Sequence, residues 1–477
     1  MRVLTCTSLF VPLTCLFSLG RAQHQQKQQQ EPLSVDVAIV GGGASGAYAA
    51  VRLRDDYTKS VLVIEKSNRL GGHVHAFHPP DGQRPINYGV QAYLSRKTTV
   101  AFFKKFNVGL IDPDFNNYVD LLVKTKNVDF ETGRDVNVTY GPAGVADVVL
   151  ALLGYLELTK KYKSWFDDGY YMHGDIPEDL LLPFGEFLDR YGLQGSLGIL
   201  RNLLWLNDAL NTPTWSVMAV VGYPQVSAFF LGVLGPSFKW PATHSSETLF
   251  DHVLEHMRDD VLLESTVYSS RRTSRGVTLV VQTPKGRRTV LAKKLLIAAT
   301  PSPDNIRPWD LSREERSVFS KFSWETLYVG IVGNTSVPVS IPGIRNAPNN
   351  ASHLFLPQGN FCDAYARGGF DGTKSDYWNA RVIGKSNLTS DEARSLMLQP
   401  LKKMVKTADP KLYAFASHGL TAPKVSAQEL RAGFYKKLYA LQGRRSTFWT
   451  GLAWAPDYTP ILWDFNEKLF PRILQGL

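Results

Sequence analysis

The chain has 477 residues, 44% hydrophobic and 20% charged, the composition of a folded protein with a large core rather than of a disordered or fibrous chain. Its formal charge is +10, and much of the excess sits in Arg271, Arg272, Arg275, Lys285, Arg287, Arg288, Lys293 and Lys294. That cluster follows a hairpin-like alternation without interleaved stacking aromatics, so it reads as solvated hairpin faces and argues against nucleic-acid binding.

Met1-Arg2, an apolar run from Val3 to Leu19 and the small residues of Gly20-Arg21-Ala22 have the form of a cleaved signal peptide over 1–22. The run is short for a membrane anchor, and the Gln-rich stretch at 23–33 reads as a disordered leader. Sequons at Asn137, Asn334, Asn350 and Asn387 fit a secreted or lumenal glycoprotein. Cys6 and Cys15 fall in the leader, so Cys362 has no partner for an internal disulfide.

Asp36-Val37-Ala38-Ile39-Val40 is a β-branched apolar run that ends in Gly41-Gly42-Gly43-Ala44-Ser45-Gly46, and a helical pattern follows through Leu53. In this strand, turn and helix, Gly41 permits the tight turn, Gly43 admits a pyrophosphate to the backbone, and Gly46 lets helix and strand approach. The diphosphate belongs at the helix N-terminus, where free N–H groups and the dipole favour negative charge. A second strand, Ser60 to Ile64, ends in Glu65, a carboxylate placed to accept from ribose hydroxyls. No second glycine fingerprint follows Leu110, which argues against an NAD(P)H site.

Further along, Ala209 to Phe238 carries no charge. Gly222, Pro224 and Gln225 interrupt it, so it reads as a buried wall of an apolar substrate cavity rather than a membrane span. A helix is expected from Ser246 to Met257, then strands at Gly276–Thr283, Arg288–Leu291 and Lys294–Pro301. A last strand runs from Ser446 to Gly451, and a final helix has Thr459 as N-cap and Pro460 as its first residue. Ile461, Leu462, Phe465, Leu469 and Ile473 give that helix one apolar face. Trp378, Trp449 and Trp454 are candidate ring-binding residues but more readily core. His73, His75 and His78 read as satisfied polar side chains, with no metal-ligand spacing and no Ser/His/Asp order in the chain.

Lys66-Ser67-Asn68-Arg69-Leu70-Gly71-Gly72-His73 resembles the Arg-x-Gly-Gly element of the amine-oxidase-like FAD superfamily. Pro85–Gln91 resembles that superfamily's segment beside the isoalloxazine ring, and Asp260–Val267 its second FAD block. With the C-terminal strand and helix, the pattern is most similar to the fungal β-cyclopiazonate dehydrogenase family. The resemblance implies an α/β fold with a Rossmann-type FAD-binding domain in three discontinuous segments, 34–110, 239–308 and 426–477. An α+β substrate domain would come from 111–238 and 309–425. It implies FAD contacts at Gly41, Gly43, Ala44, Ser45, Gly46, Glu65, Arg69, Gly71, Gly72, His73, Val90, Val267 and Gly451.

Two departures stand out: His73 follows the paired glycines where many amine oxidases have arginine, and Leu452 follows Gly451 where most members have an acid. The expected activity is FAD-dependent dehydrogenation of a small hydrophobic fungal metabolite, such as an indole alkaloid or terpenoid, with oxygen or another small molecule as electron acceptor. The same scaffold would support an amine or polyamine oxidase. A non-catalytic, FAD-binding secreted glycoprotein is the alternative of another class.

Overall fold

The computed structural model describes residues 31–114, 120–121, 124–140, 145–230, 238–369 and 375–477. The stretch expected to be a signal peptide, 1–22, and nearly all of the expected leader at 23–33 lie outside these residues.

The first of two large sheets is the nucleotide layer. Its strands run in the order Val261–Leu262, Val61–Ile64, Leu33–Val40, Gly286–Ile297, Gly276–Thr283 and Thr266–Thr273, and Thr447–Trp449 also pairs with Gly286–Ile297. The pairings of Leu33–Val40 with both neighbours are parallel, as is that of Thr447–Trp449, and the register aligns Val40 with Ile64 and Ile297, and Ile297 with Trp449. Gly41, Glu65, Ala298 and Thr450 therefore follow strand ends at one edge of the sheet. In open parallel sheets that edge is where ligands bind.

Strands expected separately at 288–291 and 294–301 are one strand, Gly286–Ile297. Its first part pairs antiparallel with Gly276–Thr283 and alternates buried with exposed residues; its end, Leu295 to Ile297, is buried among parallel neighbours. Arg272 corrects the reading of the basic cluster. Its side chain has no exposed surface and pairs with Asp310 at 2.8 Å and Glu315 at 2.8 Å, instead of lying on a solvated face.

The second sheet has the order Lys411–Lys424, Ser323–Gly333, Trp378–Lys385, Phe361–Arg367, Gly343–Asn346, Lys126–Asp129 and Arg134–Asp135. The helix Ser390–Met404 packs on it, closed at its start by a Thr389–Glu392 capping box.

The uncharged stretch after residue 208 forms two helices, Thr214–Val221 and Tyr223–Phe230, broken at Gly222. The first is buried along its whole length in the main core. It does not line the large cavity, which corrects the expectation of a cavity wall here; Phe238, at the end of the stretch, does line it. Among the described residues no helix is long and apolar enough to cross a membrane.

The C-terminal helix spans Thr459–Leu474 and has Tyr458, not Thr459, as its N-cap residue. Its five expected apolar residues are buried, as are Trp463 and Phe470. It locks the nucleotide layer together: Trp463 Nε1 donates to Ala44 O at 3.0 Å, and Asn466 Nδ2 donates to Ser45 O at 2.8 Å. Thr450 donates to Asn466 Oδ1 at 2.6 Å, so one fully buried Asn joins the first helix to the last strand.

Candidate functional site

One cavity of about 930 Å³ runs from the edge of the nucleotide sheet to the second sheet. It is at the upper end of the range for ligand sites, as an extended dinucleotide together with a substrate requires.

At the nucleotide end, Gly41 turns with φ +101° out of the first strand, and Gly43 caps the helix Ala44–Val51 in extended conformation, φ −67°. That helix has no acidic residue in its first turn and no side-chain cap, so its free N–H groups face the cavity uncompensated. Ser45 Oγ is buried there without a hydrogen-bond partner among the described residues. A glycine-lined helix start with an orphaned hydroxyl fits a diphosphate.

The Arg-x-Gly-Gly element closes on this turn. Gly71 N–H donates to Gly42 O at 2.9 Å, and a Cβ on Gly72 would stand 2.9 Å from Gly43 Cα. Arg69 braces the loop by donating to Leu70 O and Gly72 O, each at 3.0 Å. Glu65 Oε2 accepts from Gly42 N–H at 2.6 Å and Oε1 from Ser67 N–H at 2.8 Å. The carboxylate thus fixes the turn and still lines the cavity, where each oxygen keeps a lone pair for a ribose hydroxyl.

Twelve of the thirteen expected FAD contacts line the cavity: Gly41, Gly43, Ala44, Ser45, Glu65, Arg69, Gly71, Gly72, His73, Val90, Val267 and Gly451. Gly46 does not. A Cβ on Gly46 would fall 1.8 Å from Gly41 O, so this glycine serves the packing of helix on turn and does not touch the ligand space.

Toward the second sheet, His73 and His75 lie on a strip that pairs with 86–90: Val90 N–H donates to His73 O at 3.1 Å and Tyr88 N–H to His75 O at 2.9 Å. Gly89 is required there, because a Cβ would be 2.0 Å from His73 O. His418 stacks on His73, rings parallel and 4.2 Å apart. It comes from the second sheet, where the register with Ser323–Gly333 shifts between Ser417 and Leu420 and Gly419 adopts φ +66°. The bulge turns His418 into the cavity.

Burial pushes His73 down to about 4 and His75 to about 3, the latter helped by the Arg69 charge, and drives His418 well below the usual histidine range. All three imidazoles are neutral at physiological pH.

The remaining wall is apolar and aromatic, with Leu203, Trp205, Trp240, Leu327, Val329 and Tyr458 facing the cavity. Trp378, Trp449 and Trp454 do not line it; all three are fully buried in the core. His418, Trp205 and the cavity-lining Asp457 carry no sequence motif. Among the described residues no cluster of His, Cys, Asp or Glu could hold a metal ion.

Residues 39–106 match the family model of the NAD(P)-binding Rossmann-like domain. An FAD-dependent oxidoreductase of Cochliobolus heterostrophus is 32% identical over 94% of this chain and 93% of its own length. β-Cyclopiazonate dehydrogenase of Aspergillus oryzae is 31% identical over 93% of this chain and 94% of its own. The chain belongs to this family of FAD-dependent oxidoreductases, and its cofactor is FAD. Solved structures agree on the fold shared by the family. A fatty acid isomerase from P. acnes superposes with a TM-score of 0.73 at 19% identity, over 92% of this chain and 98% of its own. A putrescine oxidase superposes at 0.64 and 15% identity, over 93% of this chain and 100% of its own.

Proposed function

We propose that this oxidoreductase dehydrogenates a hydrophobic fungal secondary metabolite, of the indole-alkaloid or terpenoid kind, forming a double bond or closing a ring. The observation that carries the reading is the apolar and aromatic wall of Leu203, Trp205, Leu327, Val329 and Tyr458 beside the dinucleotide cradle. Such a wall gains roughly 25 cal/mol for each Å² of apolar surface it removes from water, which suits a large hydrophobic substrate. The Aspergillus oryzae relative named β-cyclopiazonate dehydrogenase supports the same reading.

FAD, when bound, supplies a two-electron acceptor for a substrate C–H bond. The protein's own residues do the rest. The helix start at Gly43–Ser45 and the carboxylate of Glu65 hold the dinucleotide, and Gly71 and Gly72 let the backbone run close beside it. Val267, Val90 and Gly451 shape the walls farther along, and His73 and His418 present neutral, stacked rings. The substrate domain excludes water and orients the C–H bond.

Localisation in the secretory pathway completes the proposal. The four sequon asparagines, Asn137, Asn334, Asn350 and Asn387, are all exposed, and Cys362 is buried and free. A glycosidase-sensitive mass excess on the protein purified from its native host supports this placement; an unglycosylated native protein with its N-terminus at Met1 contradicts it.

The functional test is anaerobic mixing of the yellow holoprotein with β-cyclopiazonate, other indole alkaloids, terpenoids and putrescine. Bleaching by a hydrophobic metabolite supports the proposal. Bleaching by putrescine alone would make the protein an amine oxidase.

A further inference from the structure

Dehydrogenation removes a proton as well as a hydride, and no residue named so far accepts one. The three histidines of the cavity are neutral, but they stack on one another beside the cationic Arg69, a setting that opposes their protonation. A different group stands on the wall formed by the C-terminal segment.

Asp457 lies in the turn between the last strand of the nucleotide sheet and the C-terminal helix. Gly451 and Leu452 before it, and Tyr458 and Thr459 after it, also line the cavity. The turn is fixed on both sides. Tyr458 N–H bonds Pro456 O at 2.7 Å, and Tyr458 OH donates to Val220 O at 3.0 Å. Among the described residues the Asp457 carboxylate has neither a hydrogen bond nor an ion pair. It is half-buried and opens onto the cavity, and a carboxylate left without a partner in a cleft is the kind of group found where chemistry needs one.

Arg381, the cavity-lining cation on the second sheet, does not relieve it, since its guanidinium pairs with Asp363. The other groups near Asp457 are the phenols of Tyr458 and Tyr170, both neutral and held so by burial. His73, His75 and His418 occupy other walls of the same cavity.

We propose that Asp457 is the catalytic base that takes the substrate proton during dehydrogenation, an inference that rests on the functional reading above. The substrate unit is H–X–C–H, with X a nitrogen, oxygen or adjacent carbon. The C–H bond breaks with its electron pair, and the hydride goes to FAD, the named oxidant. The X–H bond also breaks; its electrons form the second bond of X=C, and its proton passes to a carboxylate oxygen of Asp457. Two electrons leave the substrate, one carboxylate becomes a carboxylic acid, and the proton later returns to solvent through the cavity. Burial raises this carboxyl to about 6, so the group is ionised at neutral pH yet basic enough to hold a proton, the match that general-base catalysis requires. The neighbouring histidines are all pushed well below that value, so a transition near pH 6 belongs to Asp457.

The experiment compares wild type with Asp457→Asn and Asp457→Glu as holoproteins, after checking that all three keep the visible spectrum of bound FAD. Infrared difference spectra of wild type against Asp457→Asn, from pH 4 to 8, should show one protonated carboxyl band titrating near pH 6. A carboxyl titrating in the ordinary aspartate range would overturn the proposal without touching the functional reading. Anaerobic bleaching by β-cyclopiazonate should accelerate as pH rises through about 6 in wild type. It should be slower by roughly 10²- to 10⁴-fold and pH-independent in Asp457→Asn, with partial recovery in Asp457→Glu. A wild-type rate and pH profile in Asp457→Asn also overturns the base assignment. If neither β-cyclopiazonate nor any other metabolite tried bleaches wild type, the functional reading fails and this inference fails with it.

Discussion

Two glycines of one turn should respond in opposite ways to a side chain. Gly43 has φ −67° and ψ −174°, which any residue adopts, and a Cβ there meets Gly72 Cα at 3.6 Å, an ordinary contact. Gly46 has no such room: its Cβ would be 1.8 Å from Gly41 O and 3.2 Å from the Ala298 side chain. Gly43→Val should therefore leave the apoprotein within about 1 kcal/mol of wild type, while its methyl groups enter the space kept for the diphosphate. A tenfold or greater loss of FAD affinity, about 1.4 kcal/mol, is expected. Gly46→Ala should destabilise the fold by roughly 1–3 kcal/mol or more, the range for overpacking, because the obstructing atom is backbone. Thermal melting of the apoproteins and FAD titration by flavin fluorescence read the two effects separately. Wild-type FAD affinity in Gly43→Val, or a wild-type melting temperature in Gly46→Ala, would refute the division of labour argued for this turn.

Glu65→Ala should weaken FAD binding by roughly 1.5–3 kcal/mol, because it removes the ribose acceptor and frees two backbone N–H groups; equilibrium dialysis measures this. The histidines and Asp457 give opposite pH signatures in apoprotein melting. His73 and His75 have folded values below their unfolded ones, so the stability they contribute is full above about pH 6.5 and is lost as pH falls toward 4. Asp457 is raised to about 6, so its favourable contribution exists below its ordinary value and is lost as pH rises through 6. Asp457→Asn should accordingly raise apoprotein stability at pH 7.5 by up to about 3 kcal/mol, and an unchanged or lower melting temperature counts against an unpaired carboxylate there. Arg272→Ala should cost roughly 3–5 kcal/mol by leaving Glu315 and Asp310 without their buried cation, measured by denaturant unfolding.

How legible each part was in the sequence follows from how local its physics is. The nucleotide turn could be read because backbone geometry dictates its residues: Gly41 needs positive φ, Gly46 needs the absence of a Cβ, and Glu65 must follow a strand end. The C-terminal helix was legible from its period, to within one residue at its cap. His418 was not, because it reaches His73 only through a bulge in another sheet, and a bulge has no strong local signature. Asp457 sits in a Pro-Asp-Tyr turn that looks like any surface turn until the fold closes a cavity over it. Arg272 looked like its basic neighbours because alternation marks two faces but cannot say that Asp310 and Glu315 cover one of them.

The central claim is that substrate, not a nicotinamide, supplies the electrons to FAD in this cavity. The most direct measurement is the visible flavin absorption of the purified holoprotein under anaerobic conditions, after separate additions of a hydrophobic metabolite and of NADPH. The account predicts that the metabolite alone bleaches the flavin, that air restores it, and that NADPH does neither. Rapid bleaching by NADPH in the absence of substrate would contradict it and place the protein among the nicotinamide-driven reductases or monooxygenases.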